Sequence, residues 1–197
     1  MISVKSISFA YKNASGESEK PILSGFSLDL PENTVTAVMG ESGSGKTTLA
    51  KLLIGLEKPD SGEITGLDGL RVSAVFQEDR LLPWYSARKN IAAVLKGTKA
   101  ENAALTDEIL CEMELTASAD KPIRELSGGM QRRIAIGRAL AFGGDLLILD
   151  EPLKGLDPEL QNRIVPRIKS RFSTILLITH SGEEAKLFGA ERTVRIG

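Results

Sequence analysis

Between Thr34 and Leu56 the chain reads TVTAVM, then GESGSGKTT, then LAKLLIGL, and this order constrains the fold more than any other stretch. The apolar run predicts a strand covered on both faces, and Leu49, Leu52, Leu53 and Leu56 recur at helical spacing. Gly40, Glu41, Ser42, Gly43, Ser44, Gly45, Lys46, Thr47 and Thr48 fill the joint between them. A strand that feeds a glycine loop opening a helix is built to hold phosphate. The glycines let the backbone bend with its N–H groups turned inward, and the helix N-terminus adds the positive end of its dipole. In such a loop Lys46 reaches the β- and γ-phosphates, Thr47 offers a hydroxyl to Mg2+, and Thr48 donates to a further phosphate oxygen.

A chain of 197 residues, 42% apolar and 26% charged, fits one compact domain with a sizeable core. Twenty-five Lys and Arg against 26 Asp and Glu leave a net charge of -1, which removes the electrostatic support a nucleic-acid partner would need. Cys111 stands alone, so an internal disulfide is excluded and a reducing compartment fits; it reads as a small buried hydrophobe on a helix. The N-terminal MISVKSISFAYK alternates instead of forming a signal-peptide core, and no window reaches the length of a membrane span.

From Met1 to Tyr11 the pattern predicts a strand with a small irregularity, then a polar loop over Lys12–Lys20. In ILSGFSLDL, residues 22–30, Phe26, Leu28 and Leu30 share one face while Ser27 and Asp29 share the other, as in a half-exposed antiparallel strand. Short strands follow near Ile64 and over Arg71–Phe76, and residues 78–125 read as helical except for Leu81–Tyr85, an apolar segment broken by Pro83. A helix over Pro158–Arg171, a strand over Thr174–Thr179, a short helix over Glu183–Leu187 and a last strand over Thr193–Ile196 complete the chain.

The second informative stretch is Leu126–Pro152, LSGGMQRRIAIGRALAFGGDLLILDEP. Ser127 can cap a helix while the Gly128 and Gly129 amides stay open to an anion. Leu146–Leu149 is an apolar run that delivers Asp150 and Glu151 to a strand's carboxyl end. A second carboxylate beside a metal-holding one is costly unless it serves chemistry or finds a partner. With VFQEDRLLPW at residues 75–84 added, the chain resembles the ATP-binding-cassette (ABC) ATPases over nearly its whole length.

That resemblance implies a fold and a division of labour. The fold is α/β, a P-loop NTPase core with a mainly parallel sheet, an N-terminal antiparallel β-subdomain and a helical subdomain at about 78–125, all within one domain over residues 1–197. Tyr11 takes the place of the ring that stacks on adenine, Gln77 that of the glutamine touching Mg2+ and the attacking water, and Asp150 that of the metal-holding carboxylate. Glu151 polarises water, and His180, the one histidine, contacts the γ-phosphate; with Lys46 and Gln77 they form the catalytic set. Ser127, Gly128, Gly129 and Gln131 close over ATP held by a second subunit, and Asp157 lies in the loop that crosses between subunits. Lys154 stands where the family has a small hydroxyl residue, and Ser181 where it commonly has Asp.

The resemblance implies ATP and Mg2+ as ligands and a second ATPase subunit as partner, most simply a second copy. It further implies transmembrane permease subunits, a solute-binding protein, and a place on the cytoplasmic face of the membrane. The segment VFQEDRLLPW looks most like importers for nitrate, sulfonate, taurine or thiamine-precursor solutes, with Trp84 and Tyr85 as a docking surface. Two other readings belong to different classes: a non-transport ABC ATPase, and a regulatory subunit that binds nucleotide without hydrolysing it.

Overall fold

The structure, a computed structural model, describes residues 1–13 and 20–197; most of the predicted Lys12–Lys20 loop lies outside the described residues. In chain order the elements are β1 (Ile2–Phe9), β2 (Leu23–Leu30), β3 (Val35–Met39), α1 (Lys46–Leu53), β4 (Ser61–Thr65), β5 (Val72–Val75), α2 (Ala87–Ala92) and α3 (Lys99–Glu112). They continue with α4 (Gly128–Phe142), β6 (Leu146–Asp150), α5 (Pro158–Arg171), β7 (Ile175–Thr179), α6 (Gly182–Phe188) and β8 (Arg192–Arg195).

Continuous apolar runs in β3, β6 and β7 require cover on both faces, and the sheet supplies it. β5-β6-β7-β3-β8 form one sheet in that order, with every pairing parallel. Alternate residues divide between two cores: Leu147, Leu149, Ile175 and Leu177 face the side covered by α3, α4 and α5, whereas Leu146, Ile148, Leu176 and Ile178 face α1 and the smaller sheet. That smaller sheet is antiparallel, in the order β2-β1-β4. The irregularity expected in β1 is a register shift after Val4, where Ser6 takes a left-handed φ of 47° and donates its amide to Ser27 Oγ.

Two local expectations are corrected. Cys111 lies on α3 as expected but is exposed: the buried residues of that helix are Thr106, Ile109 and Leu110, and position 111 falls on its outer side. The break expected at Leu81–Tyr85 is wider, and none of residues 78–86 is helical. Arg80 has a φ of 46° and Pro83 follows, so α2 starts only at Ala87, capped by Ser86. From there to residue 125 the described segments are α2, α3 and two 3-10 turns, and α2 and α3 pack on α4.

Candidate nucleotide site

β3 ends at Met39 inside the parallel sheet, between β7 and β8, and its carboxyl end opens onto the Gly40–Thr48 loop. Two glycines there are sterically required. A Cβ on Gly40 would lie 2.3 Å from the Ile196 carbonyl oxygen, and one on Gly45, at φ 94°, would lie 2.8 Å from Ile22. Gly43, at φ 84°, faces open space. Within the loop the Ser44 amide turns back on the Glu41 carbonyl (3.2 Å), while the amides of Gly43, Gly45, Lys46 and Thr47 donate to nothing among the described residues. Ser44 Oγ is buried and unpartnered as well. A cradle of unspent donors at the start of a helix is what an anion of phosphate size and charge satisfies.

Lys46, 8% exposed, spans this cradle and donates to the carbonyls of Gly40 (2.7 Å) and Glu41 (2.6 Å). Thr47 Oγ1 donates to Asp150 Oδ2 at 2.6 Å, so the first turn of α1 meets the end of β6 across 103 residues of sequence. Burial raises the Asp150 carboxyl above its ordinary value, the Thr47 hydrogen bond opposes that shift, and the neighbouring Glu151 adds to it. Arg132 and Lys46 also oppose the shift, and Asp150 is thus a buried carboxylate beside the phosphate cradle, placed to hold a cation carried in with phosphate oxygens.

Glu151 sits just beyond the ladder with a left-handed φ of 48°, uncommon for a non-glycine residue. Its amide donates to the Ile178 carbonyl (2.8 Å), which fixes the backbone. One carboxylate oxygen lies 3.0 Å from His180 Nδ1 and the other 3.7 Å from Lys154 Nζ. Lys154, at the unexpected position, therefore faces the central carboxylate. His180 stands at the end of β7 with its side chain 68% exposed, so the ring is anchored by Glu151 while its edge stays open.

Two clefts share the loop. One of about 220 Å³ is lined by Ser42, Gly43, Gly45, Lys46, Thr47, Thr48, Gln77, Asp150 and Glu151 among others. The second, about 770 Å³, runs along Gly40–Ser44 to His180 and Ile196. Every proposed metal and catalytic residue thus lines one of two clefts that meet at Ser42 and Gly43. Tyr11 lines neither: its ring packs edge-on against Phe9 at 5.0 Å, and its hydroxyl accepts from Lys51 (3.0 Å) on α1.

Ser127, Gly128, Gly129 and Gln131 are also absent from both clefts. Ser127 caps α4 by accepting from the Met130 amide, and Gln131 donates to the carbonyls of Ile123 and Leu126, which shapes the turn before the helix. Asp157 caps α5 by accepting from Leu160. Within one chain these residues do not complete the site.

Two residues outside the predicted set are central to the geometry. Arg132, buried on α4, donates to the carbonyls of Phe76, Pro152 (3.0 Å), Asp150 (2.6 Å) and Glu151 (2.7 Å) and pairs with Asp79 (2.9 Å). It joins the helix behind Ser127 to the segments bearing Gln77 and Glu151. Glu184 on α6 accepts from the Leu153 amide (3.1 Å) and from the Thr179 hydroxyl. Ser-Gly-Glu-Glu over 181–184 carries a helix-start spacing that could have flagged Glu184, although its carboxylate turns to Leu153 and Thr179 instead of closing a capping box. Nothing local distinguishes Arg132 from Arg133.

Comparison with known proteins agrees with this geometry. The ABC transporter family profile matches residues 23–154. The taurine import ATP-binding protein TauB of Roseobacter denitrificans is 38% identical over 95% of this chain and 75% of its own length. The aliphatic sulfonates import ATP-binding protein SsuB of Granulibacter bethesdensis is 40% identical over 88% of this chain and 72% of its own. A solved dimeric ATP-binding cassette in a post-hydrolysis state, bound to ADP and Pi, superposes with a TM-score of 0.86 at 26% identity, over 100% of this chain and 94% of that one. With the phosphate loop between the Asp150-Glu151 strand end on one side and His180 on the other, the chain belongs to the ABC transporter family of ATPases.

Proposed function

We propose that this chain is the ATP-hydrolysing subunit that powers solute import through a separate membrane permease, acting as a pair of cassettes on the cytoplasmic face. The placement of Glu151 beside the Thr47–Asp150 pair and against His180 carries the catalytic part of this reading. Relatives that drive import of taurine and sulfonates support the transport part. No helix among the described residues is long and apolar enough to cross a membrane, so movement of solute belongs to a partner. A solute-binding protein would deliver the cargo.

Bound ATP would take the unspent amides of the loop and draw Lys46 from the Gly40 and Glu41 carbonyls onto its phosphates. Thr47, Asp150 and Gln77 form the donor set for Mg2+, which when bound would neutralise phosphate charge. Glu151 would accept a proton from the attacking water, held in place by His180, whose free edge faces the cleft. Tyr11 would offer its ring to the base. Ser127, Gly128, Gly129 and Gln131 would close over the partner cassette's ATP, with Asp157 at the crossing, so each nucleotide lies between two chains. Trp84, 74% exposed beside Tyr85 and next to the Gln77 segment, offers the permease an aromatic docking surface. The joint presence of Glu151, Gln77 and His180 favours hydrolysis over a purely regulatory role.

The test is Glu151→Gln. ATP binding should persist, a nucleotide-bound dimer should accumulate in size-exclusion chromatography, and turnover should vanish. Undiminished hydrolysis would remove Glu151 from its assigned role.

A further inference from the structure

Glu151 and His180 must stay together for the site to work, yet they belong to segments that part company at once. β6 and β7 run side by side, with Asp150 opposite Ile178, and the Glu151 amide makes a last bond to the Ile178 carbonyl. Beyond that point one strand leads toward α5 and the other into α6.

We propose that Glu184 is a positioning residue for hydrolysis: its side chain replaces the missing ladder beyond the sheet and keeps Glu151 and His180 in register. One oxygen accepts from the Leu153 amide, two residues after Glu151. The other accepts from the Thr179 hydroxyl, one residue before His180. The same hydroxyl accepts from the Ser181 amide at 3.0 Å, and Ser181 Oγ accepts from the Glu184 amide at 3.2 Å. The chain of donors therefore runs from both loops and ends on an acceptor-only group. A carboxylate meets that requirement; an amide of the same size presents N–H protons to one of the two donors.

The placement is also expensive, which argues for a task. Burial raises the Glu184 carboxyl above its ordinary value, the Thr179 and Leu153 hydrogen bonds oppose that shift, and the charge of Glu151 adds to it. A third carboxylate beneath Glu151 is disfavoured by stability alone. The cleft beside it is lined by Glu151, Lys154, His180, Ser181 and Glu184, so the clamp borders a cleft to which both Glu151 and His180 contribute.

This inference rests on the assignment of Glu151, and its test separates the two. Glu184→Gln keeps size and removes charge. The folded variant should bind a fluorescent ATP analogue as the parent does, while kcat falls about tenfold or more, as for a reacting group displaced by a fraction of an ångström. Thr179→Val removes the same bond from the other side, together with the acceptor of the Ser181 amide, and should give the same split. The double variant should be no worse than either single one. An unchanged kcat in Glu184→Gln would overturn the proposal, as would parallel losses of affinity, turnover and melting temperature. If Glu184→Gln fails to fold, an unchanged kcat in Thr179→Val overturns it equally. A Glu151→Gln control that still hydrolyses ATP refutes the site assignment itself, whereas an inert control with active Glu184 variants refutes only the clamp.

Discussion

Replacing Arg132 by Met tests whether α4 is physically tied to the hydrolytic strand end. The methionine keeps much of the buried stem and removes the guanidinium, whose side chain is 5% exposed. Four backbone carbonyls and the Asp79 carboxylate then lose their donor, and three of those carbonyls belong to the consecutive residues Asp150, Glu151 and Pro152. Charged hydrogen bonds of this kind contribute about 1.5–3 kcal/mol each, but Asp79, 23% exposed, can turn to water and the losses overlap. Breaking one member of a buried charged network gives about 3–5 kcal/mol as the net expectation. For a domain of this size, each kcal/mol shifts the melting temperature by 2–4 °C, so the fall should be about 6–20 °C. Urea and thermal unfolding measure it directly. Arg132→Lys should recover only part, because one ammonium cannot serve a fork of five acceptors. A loss below about 1 kcal/mol, the range of an exposed ion pair, would show that water already reaches these carbonyls and that the network carries little stability.

Other consequences can be measured separately. Arg171 grips Glu112 through two hydrogen bonds and Glu108 through a third, joining α5 to α3; Arg171→Met should cost about 1 kcal/mol at low salt, and the difference should shrink in 1 M salt. Glu184 holds its proton in the folded protein to a higher pH than the 4.5 of an unperturbed carboxyl. Its contribution is therefore most favourable below pH 4.5 and is lost as pH rises through the raised value; Glu184→Gln should flatten that slope in urea titrations at a series of pH values, and an identical slope would contradict the burial argument. Trp84→Ala should leave stability within about 0.5 kcal/mol and ATPase activity in solution unchanged, while co-purification with the proposed permease partner is lost.

The parts of this protein legible in its sequence are those whose physics is local. A buried parallel strand must be apolar on both faces, so β3, β6 and β7 announce themselves, and the Gly40–Thr48 loop can be read because the glycines and the two flanking periodicities lie within twenty-three residues. Pro158, a residue suited to the first turn of a helix, marks where α5 begins. Contacts that close over long separations leave no such trace. Arg132 reaches Phe76 across 56 residues, and Glu184 reaches Leu153 across 31; neither partner is a side chain that composition could betray. Cys111 shows the converse limit: α3 has no strong apolar face, so periodicity could not say which side of it is turned outward. The geometry of Tyr11, held by Lys51 against α1, is likewise a tertiary fact beyond the reach of pattern.

The fifteen residues of α4 place its ends far apart, but the relevant span is shorter. Arg132 comes five positions after Ser127, a rise of about 7.5 Å along the axis, or a turn and a half. A rigid element that short transmits a tilt without bending. If Ser127 is drawn toward a nucleotide on a neighbouring cassette, the guanidinium must move with it and carry the carbonyls of Asp150, Glu151 and Pro152 along. Turnover in a pair of such cassettes should therefore depend on nucleotide concentration with a Hill coefficient above one, and severing the arginine should bring it back to one.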